Sequence, residues 1–264
     1  MTRRRLDAEL VRRGLARSRD DAQDLIASGH VRIAGTTATK AATQVEDAAA
    51  IEVGRQVAGY VSRGAHKLLG ALAVFAPSGL AIDGRIALDA GASTGGFTQV
   101  LLEGGVSKVF AVDVGYGQLA WVLRTDPRVV VIERMNVREL QPTDLSDVPD
   151  LVVGDLSFIS LALVLPALTR VASAGADFVL MVKPQFEVGR EQVGTGGVVR
   201  EPNLRAGAVT KIATAAAELG LGVRGVTASP LPGPAGNVEY FLWLTRSAPP
   251  LDPADIERAV LEGP

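Results

Sequence analysis

The stretch ALDAGASTGGFT, residues 87–98, decides the fold class of this sequence. An apolar strand runs into a turn rich in small residues and then into a helical segment. Glycine at such a turn lets the backbone approach a ligand, and the helix start presents free N–H groups to a carboxylate or phosphate. No Gly-Lys-Ser/Thr follows, and the spacing is not G-x-G-x-x-G, so a P-loop and a dinucleotide fingerprint are both excluded. The candidate cofactor-binding residues here are Asp89, Gly91, Ala92, Ser93, Thr94, Gly95, Gly96 and Phe97.

Outward from this turn, strands alternate with helices, which is typical of a Rossmann-like, mostly parallel α/β sheet. The predicted strands are Ile86–Asp89, Lys108–Asp113, Val129–Glu133, Leu151–Asp155, Phe178–Val182, Gly222–Ala228 and Val238–Thr245. The predicted helices are Ser62–Ala76, Phe97–Glu103, Leu119–Leu123, Ile159–Ala172 and Asn203–Leu219. Only the turn-rich Ser229–Asn237 joins the last two strands, which predicts a terminal antiparallel hairpin. A seven-stranded sheet with that hairpin resembles class I methyltransferases more than nicotinamide dehydrogenases.

A small α+β domain is predicted ahead of this sheet. Its first helix ends at Gly14, and Ser18 is an N-cap candidate for a second helix, Arg19–Ala27. Short strands follow at His30–Ile33, around Val45 and at Ile51–Val53. We therefore predict a head at residues 1–53, a glycine-containing linker at 54–61 and a catalytic body at 62–264.

Composition excludes several classes of site. The chain has no cysteine and two histidines, so disulfides and thiolate sites are excluded and no metal site is predicted. The longest apolar stretches are too short to cross a bilayer, and no apolar segment follows the basic start as in a secretory signal. We expect a cytoplasmic protein that neither enters a membrane nor depends on a protein partner.

Charge is distributed unevenly between the two predicted domains. Residues 1–67 carry twelve Lys or Arg against eight Asp or Glu, whereas the remainder carries fifteen against twenty-one. A basic head on an acidic body favours a polyanion as the partner of the head, although a solvated basic face is the plainer alternative.

Polar residues at the ends of two further strands are candidates for a nucleoside site. Asp113 ends the second strand of the sheet, where a carboxylate can accept both hydroxyls of a ribose. Asn136 follows the third strand and could bond an adenine edge. A turn-capping aspartate and an ordinary polar loop are the alternatives.

Four charged residues of the body form the candidate catalytic set: Lys67, Asp155, Lys183 and Glu239. Asp155 and Lys183 end the fourth and fifth strands, so both face the crevice at the carboxyl edge of the sheet. Charged side chains beside apolar strand residues are seldom buried without a partner. The alternative interpretation is that the four residues form two ion pairs with a purely structural role.

The head resembles the small RNA-binding domain named after ribosomal protein S-four, through the pattern LxxELVRRGLARSRxxAxxLIxxGxVRIxG. This resemblance implies a basic face that grips RNA phosphates. The candidate RNA-binding residues of the chain are Arg3, Arg4, Arg5, Arg17, Arg19, Arg32, Lys40, Arg63, Tyr116 and Phe158. The last two are candidates for stacking on a flipped-out nucleotide.

The body resembles ribose 2′-O-methyltransferases of the FtsJ/RrmJ group, and the whole chain resembles the TlyA (hemolysin A) family. The strings SRGAHKL, LDAGASTGGFT, DVGYGQL, DLSFISL, VKPQFEVG and PLPGPAGNVEYFLWL carry the resemblance. It implies S-adenosylmethionine as cofactor and methylation of cytidine 2′-hydroxyls in rRNA of assembled ribosomal subunits. Lys183 is then either a base or a charged group that stabilises the developing alkoxide.

Three alternative functions remain at this point. A non-catalytic RNA-binding or ribosome-assembly factor would need the same basic head without the catalytic set. A nicotinamide oxidoreductase is disfavoured by the glycine spacing and the terminal hairpin. A membrane-lytic protein would need a spanning segment or a strongly amphipathic lytic helix, and the sequence contains neither.

Overall fold

The computed structural model describes residues 3–16, 18–27, 29–53 and 59–263. The chain divides into two compact units, residues 1–63 and residues 64–264, and each has its own cluster of buried apolar side chains. Residues 54–58 of the predicted linker lie outside the described residues. The domain boundaries drawn from the sequence therefore stay a prediction.

Two short helices and two small antiparallel sheets make up the described part of the small unit. Its elements are α1 (Leu6–Arg12), α2 (Arg19–Ala27), β1 (Arg3–Arg5), β2 (Val31–Ile33), β3 (Thr36–Thr37), β4 (Gln44–Glu46) and β5 (Ile51–Val53). Strand β1 pairs with β4, and β2 lies between β3 and β5. The predicted N-cap is confirmed, because the Ser18 hydroxyl accepts a hydrogen bond from the Asp21 N–H at 3.1 Å. Strand β1 is not among the predicted elements.

The core of the small unit joins helices to strands. Leu6 and Leu10 of α1 pack with Ile26 of α2, Val31 of β2 and Val45 of β4, all of them buried. Burial of this apolar layer is the main stabilising contribution in so small a unit.

A seven-stranded sheet forms the centre of the large unit. Its strands are β6 (Ile86–Ala90), β7 (Lys108–Asp113), β8 (Val129–Glu133), β9 (Leu151–Gly154), β10 (Asp177–Val182), β11 (Gly222–Ala228) and β12 (Tyr240–Thr245). They lie in the order β11-β12-β10-β9-β6-β7-β8. Strands β6 to β10 run parallel, and β12 runs antiparallel to both β10 and β11. The predicted mostly parallel sheet and its terminal antiparallel hairpin are confirmed.

The order of the strands in the sheet indicates where the ligand crevice lies. From β6 the chain adds β7 and β8 on one side and then crosses over to add β9 and β10 on the other. Ligands of open α/β sheets bind outside the carboxyl ends of the strands at such a switch point. In this sheet the switch point lies between β6 and β9.

Helices cover both faces of the sheet. They are α3 (Gly64–Phe75), α4 (Gly96–Glu103), α5 (Trp121–Arg124), α6 (Leu165–Val171), α7 (Pro184–Glu187), α8 (Pro202–Glu218) and α9 (Pro253–Glu262). Side chains of α6, α8 and α9 share one buried apolar cluster with the sheet. None of the helices in the described ranges is long and apolar enough to cross a membrane.

The predicted helix Ile159–Ala172 is wrong in its first half. A short 3₁₀ turn occupies Leu161–Leu163, and the α-helix α6 begins only at Leu165. Pro166 explains the break, because proline lacks an N–H donor and its ring clashes with the carbonyl four residues earlier. It is tolerated in the first turn of α6.

Candidate active site

The turn between β6 and α4 is shaped by positive backbone angles. Gly91 has φ +85° and Gly95 has φ +99°, and Ser93 also adopts the left-handed region at φ +48°. A Cβ at Gly91 would lie 3.1 Å from the backbone oxygen of Asp155, so glycine permits the close approach of β6 and β9. The loop is thereby fixed against the switch point of the sheet, where a cofactor would bind.

Asp89 lies fully buried beneath this turn. The Thr98 hydroxyl donates to its Oδ2 at 2.7 Å, while Oδ1 has no hydrogen-bond partner in the described part of the chain. Burial raises the pKa of Asp89 to about 7, reinforced by the charges of Asp155 and Asp113 and opposed by the Thr98 hydrogen bond. An unpartnered buried oxygen beside a glycine turn fits a ligand that brings a hydrogen-bonding group.

Asp113 is held in one orientation at the end of β7. Its Oδ2 accepts the Ser93 N–H at 2.8 Å, and its Oδ1 accepts the Gly115 N–H at 2.6 Å. Ser93 belongs to the glycine-rich turn, so this hydrogen bond joins that turn directly to Asp113, and both are predicted parts of the cofactor site. A carboxylate fixed in this way suits a ribose diol.

Asn136 has a structural contact that the sequence does not reveal. Its side-chain oxygen accepts the Arg138 N–H at 3.2 Å and caps the short turn Val137–Glu139. Val137 itself is buried in the core. Contact of Asn136 with an adenine edge stays a prediction.

The four candidate catalytic residues come together in a single network. Lys67 Nζ donates to Glu239 Oε2 at 2.6 Å and lies 3.9 Å from Asp155 Oδ2. Lys183 Nζ lies 2.6 Å from Asp155 Oδ1. The order of contacts is therefore Glu239, Lys67, Asp155, Lys183, with Asp155 bridging the two ammonium groups.

The network is largely withdrawn from water. The side chains of Lys67 and Glu239 are 4% and 1% exposed, and those of Lys183 and Asp155 are 9% and 20% exposed. Two cations balance two anions, which offsets the desolvation that isolated charges would suffer here. The more exposed pair, Asp155 and Lys183, is the one available to a substrate.

Close backbone packing holds α3 and the loop before β12 in place for this contact. A Cβ at Gly70 would lie 2.5 Å from the Pro230 ring, and one at Gly233 would lie 2.6 Å from Glu239 Oε1. A larger residue at either glycine would force the Pro230 ring or the Glu239 carboxylate to shift. This packing brings Lys67, which precedes the first strand of the sheet, to Glu239, which precedes the last.

Ser157 belongs to the site but is not among the predicted residues. Lys183 Nζ donates to its hydroxyl oxygen at 2.7 Å. Its position two residues after Asp155 in the string DLSFISL is the signal that could have indicated it.

Most of the described head arginines proposed for RNA binding contact carboxylates. Arg3 lies 3.3 Å from Glu46, Arg5 lies 2.9 Å from Asp7, and Arg19 lies 3.2 Å from the same Asp7. Arg4 pairs with Asp47 and lies 3.8 Å from Glu9. Arg63 lies 3.0 Å from Asp24.

The remaining head candidates are placed differently. Arg32 and Lys40 are exposed, and Arg32 lies opposite Glu52 in the strand register. Arg17 lies outside the described residues. Binding of RNA by this set of side chains stays a prediction.

Two buried acidic residues bind several arginine side chains of the small unit. Asp7 and Glu9 are buried. Burial raises the pKa of Asp7, but hydrogen bonds from Arg5 and Arg19 outweigh it and hold that pKa at about 2. Hydrogen bonds from Arg12 and Arg13 lower the pKa of Glu9 to about 2. Both carboxylates therefore stay charged at neutral pH and fix the arginine side chains.

The two aromatic candidates of the body are exposed. The Arg134 guanidinium lies 4.2 Å from the centre of the Tyr116 ring. Phe158 is 86% exposed at φ +64°, and its ring lies 5.3 Å from that of Phe186. Both rings are available for stacking, and their contact with RNA stays a prediction.

Comparison with known proteins identifies the two parts of the chain. Residues 60–246 match the family described as FtsJ-like methyltransferase, and residues 4–51 match the S4 domain. A Mycobacterium tuberculosis protein named 16S/23S rRNA (cytidine-2'-O)-methyltransferase TlyA is 60% identical over 99% of each chain. Hemolysin A of Brachyspira hyodysenteriae is 38% identical over 90% of this chain and 98% of its own.

Among solved structures, a Streptococcus thermophilus protein described as a hemolysin has a TM-score of 0.77 at 38% identity. The match covers 99% of this chain and 96% of that one. The chain thus belongs to the TlyA family of FtsJ-like methyltransferases and carries an S4 domain in its N-terminal part.

Proposed function

We propose that this protein transfers the methyl group of S-adenosylmethionine to the 2′-hydroxyl of cytidine ribose in rRNA. The observation that carries the proposal is the buried network of Lys67, Asp155, Lys183 and Glu239 at the carboxyl edge of the sheet. A methyltransferase acting on a ribose hydroxyl needs charged groups that orient the hydroxyl and manage its proton.

The cofactor, S-adenosylmethionine, supplies an activated methyl group on a sulfonium. Asp113 would accept the ribose hydroxyls of the cofactor, and the turn from Gly91 to Gly96 would lie along its methionine part. Asp89, with an unpartnered buried oxygen below the turn, would accept a hydrogen bond from the ligand or through a water. Asp155 would receive the amino group of the cofactor. These assignments follow from strand position and donor chemistry.

Two roles for Lys183 are compatible with the proposed reaction. As a neutral amine it would accept the proton of the 2′-hydroxyl. As an ammonium it would stabilise the developing alkoxide while water takes the proton. The 2.6 Å contact with Asp155 stabilises the ammonium and so favours the second role.

The substrate class rests on the head and on the relatives. An S4 domain with exposed basic residues suits a structured RNA, which is recognised by shape and phosphate contacts. The Mycobacterium tuberculosis relative, whose name specifies 16S and 23S rRNA, matches over nearly the whole chain. We therefore propose assembled ribosomal subunits as the substrate, which implies a cytoplasmic place of action.

The test uses tritiated S-adenosylmethionine with small and large ribosomal subunits that lack the modification, with Lys183→Ala as the control. Label in rRNA that protects one linkage from alkaline cleavage, and that is absent with Lys183→Ala, supports ribose methylation. No label in either subunit, with cofactor binding intact, contradicts the rRNA assignment and favours a binding factor or a tRNA substrate.

A further inference from the structure

Glu187 is a buried carboxylate that the proposed reaction does not use. It ends α7, the short helix that begins directly after Lys183. Its side chain is 2% exposed. Buried carboxylates are rare without specific partners, so the contacts of Glu187 define what it does.

Both carboxylate oxygens of Glu187 bind the loop that follows β9, residues 155–161. The Ser160 hydroxyl donates to Oε2 at 2.6 Å, and the Leu161 N–H donates to Oε1 at 2.7 Å. That loop begins with Asp155. A charged acceptor with two good donors is among the stronger hydrogen-bonding arrangements in proteins.

The loop and the α7 segment are joined at three successive points. Lys183 contacts Asp155 and Ser157 at the first. At the second point the ring centres of Phe158 and Phe186 lie 5.3 Å apart. At the third, Glu187 accepts the hydrogen bonds from Ser160 and Leu161. The Lys183–Asp155 ion pair is therefore the first of three contacts between the loop and α7, and the hydrogen bonds of Glu187 are the last.

A second helix fixes Glu187 from behind. Lys211 of α8 donates to the Glu187 backbone oxygen at 2.7 Å, and its Nζ lies 3.3 Å from Oε2. Because α8 is long and packed on the sheet, the carboxylate is anchored to the rigid part of the unit.

We infer that Glu187 is a positioning residue that sets the separation of Lys183 and Asp155 by clamping the 155–161 loop to α7. The inference rests on the proposed function, since its effect is read through methyl transfer. Small displacements of reacting groups cost large factors in rate, whereas ligand binding at other contacts is little affected.

The test compares Glu187→Ala with Glu187→Gln in steady-state methylation of ribosomal subunits. Alanine removes both hydrogen bonds, so kcat should fall roughly 10- to 100-fold with the KM values for cofactor and subunit unchanged. Glutamine can accept the Leu161 N–H and donate to the Ser160 oxygen, so it should retain most of the kcat. Rescue by the uncharged isostere is the result that a general loss of stability would not give.

Asp177→Ala is the matched control. Asp177 begins the same strand that Lys183 follows, and it accepts hydrogen bonds from Arg85 and Trp243 at the opposite end. It should lower stability while leaving kcat intact. Wild-type kcat in Glu187→Ala, or an equal loss of kcat in Glu187→Ala and Asp177→Ala, would overturn the inference.

A crystal structure of Glu187→Ala separates this inference from the proposed function. If wild-type protein labels no rRNA, the proposed function fails, and the Lys183 Nζ to Asp155 Oδ1 distance in the variant still decides the role of Glu187. A distance that stays at the wild-type 2.6 Å overturns the positioning role, and a longer one supports it.

Discussion

Both ends of the large sheet carry charged networks, and the two networks around the central strands β6, β9 and β10 are built on different cations. At the carboxyl edge, Lys67 and Lys183 lie among Asp155 and Glu239. At the amino edge, where β6, β9 and β10 begin, Arg85 lies between Asp150 and Asp177.

The amino-edge network ties three strand starts together. Arg85 Nε lies 3.0 Å from Asp150, and both terminal nitrogens of Arg85 lie 3.1 Å from Asp177. The remaining Asp150 oxygen accepts the Ile86 N–H, and the remaining Asp177 oxygen accepts the Trp243 indole N–H at 2.7 Å.

The difference between the two cations matches the difference in task. A guanidinium is planar, permanently charged and suited to a fixed fork of carboxylates, whereas a lysine ammonium is a compact charge that can lose a proton. The amino edge therefore holds strands together, and the carboxyl edge is equipped to handle a hydroxyl and its proton. Exchanging the two cations is the direct way to test this contrast.

The largest effect is expected from Lys183→Arg at the carboxyl edge. Arginine keeps the charge, but its planar guanidinium cannot occupy the position of the compact ammonium between Asp155 and Ser157, so methyl transfer should fall roughly 10²- to 10³-fold. Cofactor affinity, measured by calorimetry, should remain. Activity within tenfold of wild type would break the contrast, because a fixed cation would then suffice.

Lys67→Met tests the buried half of the same network. It leaves Glu239, which is 1% exposed, without its cation, and should cost about 3–5 kcal/mol in urea unfolding. The double variant Lys67→Met, Glu239→Gln should recover much of that stability but not the activity. Recovery of both would show that this pair has only a structural role.

Arg85→Lys makes the reverse exchange at the amino edge. A lysine ammonium lacks the planar fork with which Arg85 reaches Asp150 and Asp177 together, so the free energy of unfolding should fall by about 1–2 kcal/mol. The methylation rate at saturating substrate should not change. A drop in rate without a drop in stability would contradict the separation of the two edges.

The last prediction concerns pH and the carboxyl edge alone. The pKa of Asp89 is raised to about 7 in the folded protein from 3.8, so the folded state keeps a proton that the unfolded chain has lost. The contribution of this group to stability is therefore full below pH 4 and is lost as the pH rises to about 7, by at most about 1.4 kcal/mol per pH unit.

Asp89→Asn should remove this slope in urea titrations between pH 5 and 8. Asp150→Asn, at the amino edge, is the matched control and should leave the slope in place. Equal slopes in wild type and Asp89→Asn would contradict the raised pKa.

Strand periodicity predicted much of the fold. Strands β7, β8 and β11 begin and end at the predicted residues, and the convergence of Asp155 and Lys183 follows from two parallel strands ending at one edge. Helix α9 is not among the predicted helices, although the sequence carries its start signals. Asp252 caps it, and Pro253 follows in its first turn.

Other features depend on tertiary contacts that no local pattern encodes. Three consecutive arginines do not resemble a strand, and β1 forms because it pairs with β4, beside Glu46 and Asp47. Lys67 reaches Glu239 only because α3 packs closely on the loop before β12. Glu187 lies in the quoted string VKPQFEVG, but its partners are 26 and 27 residues away.

The backbone at Phe158 carries a consequence for engineering stability. The left-handed conformation of a non-glycine residue is higher in free energy than its ordinary conformations by about 1–2 kcal/mol. Glycine, which adopts positive φ at Gly91 and Gly95, would avoid this cost at position 158. If the predicted stacking role of the exposed Phe158 ring holds, replacing Phe158 to gain stability should cost activity, so thermostabilising designs should leave Phe158 untouched.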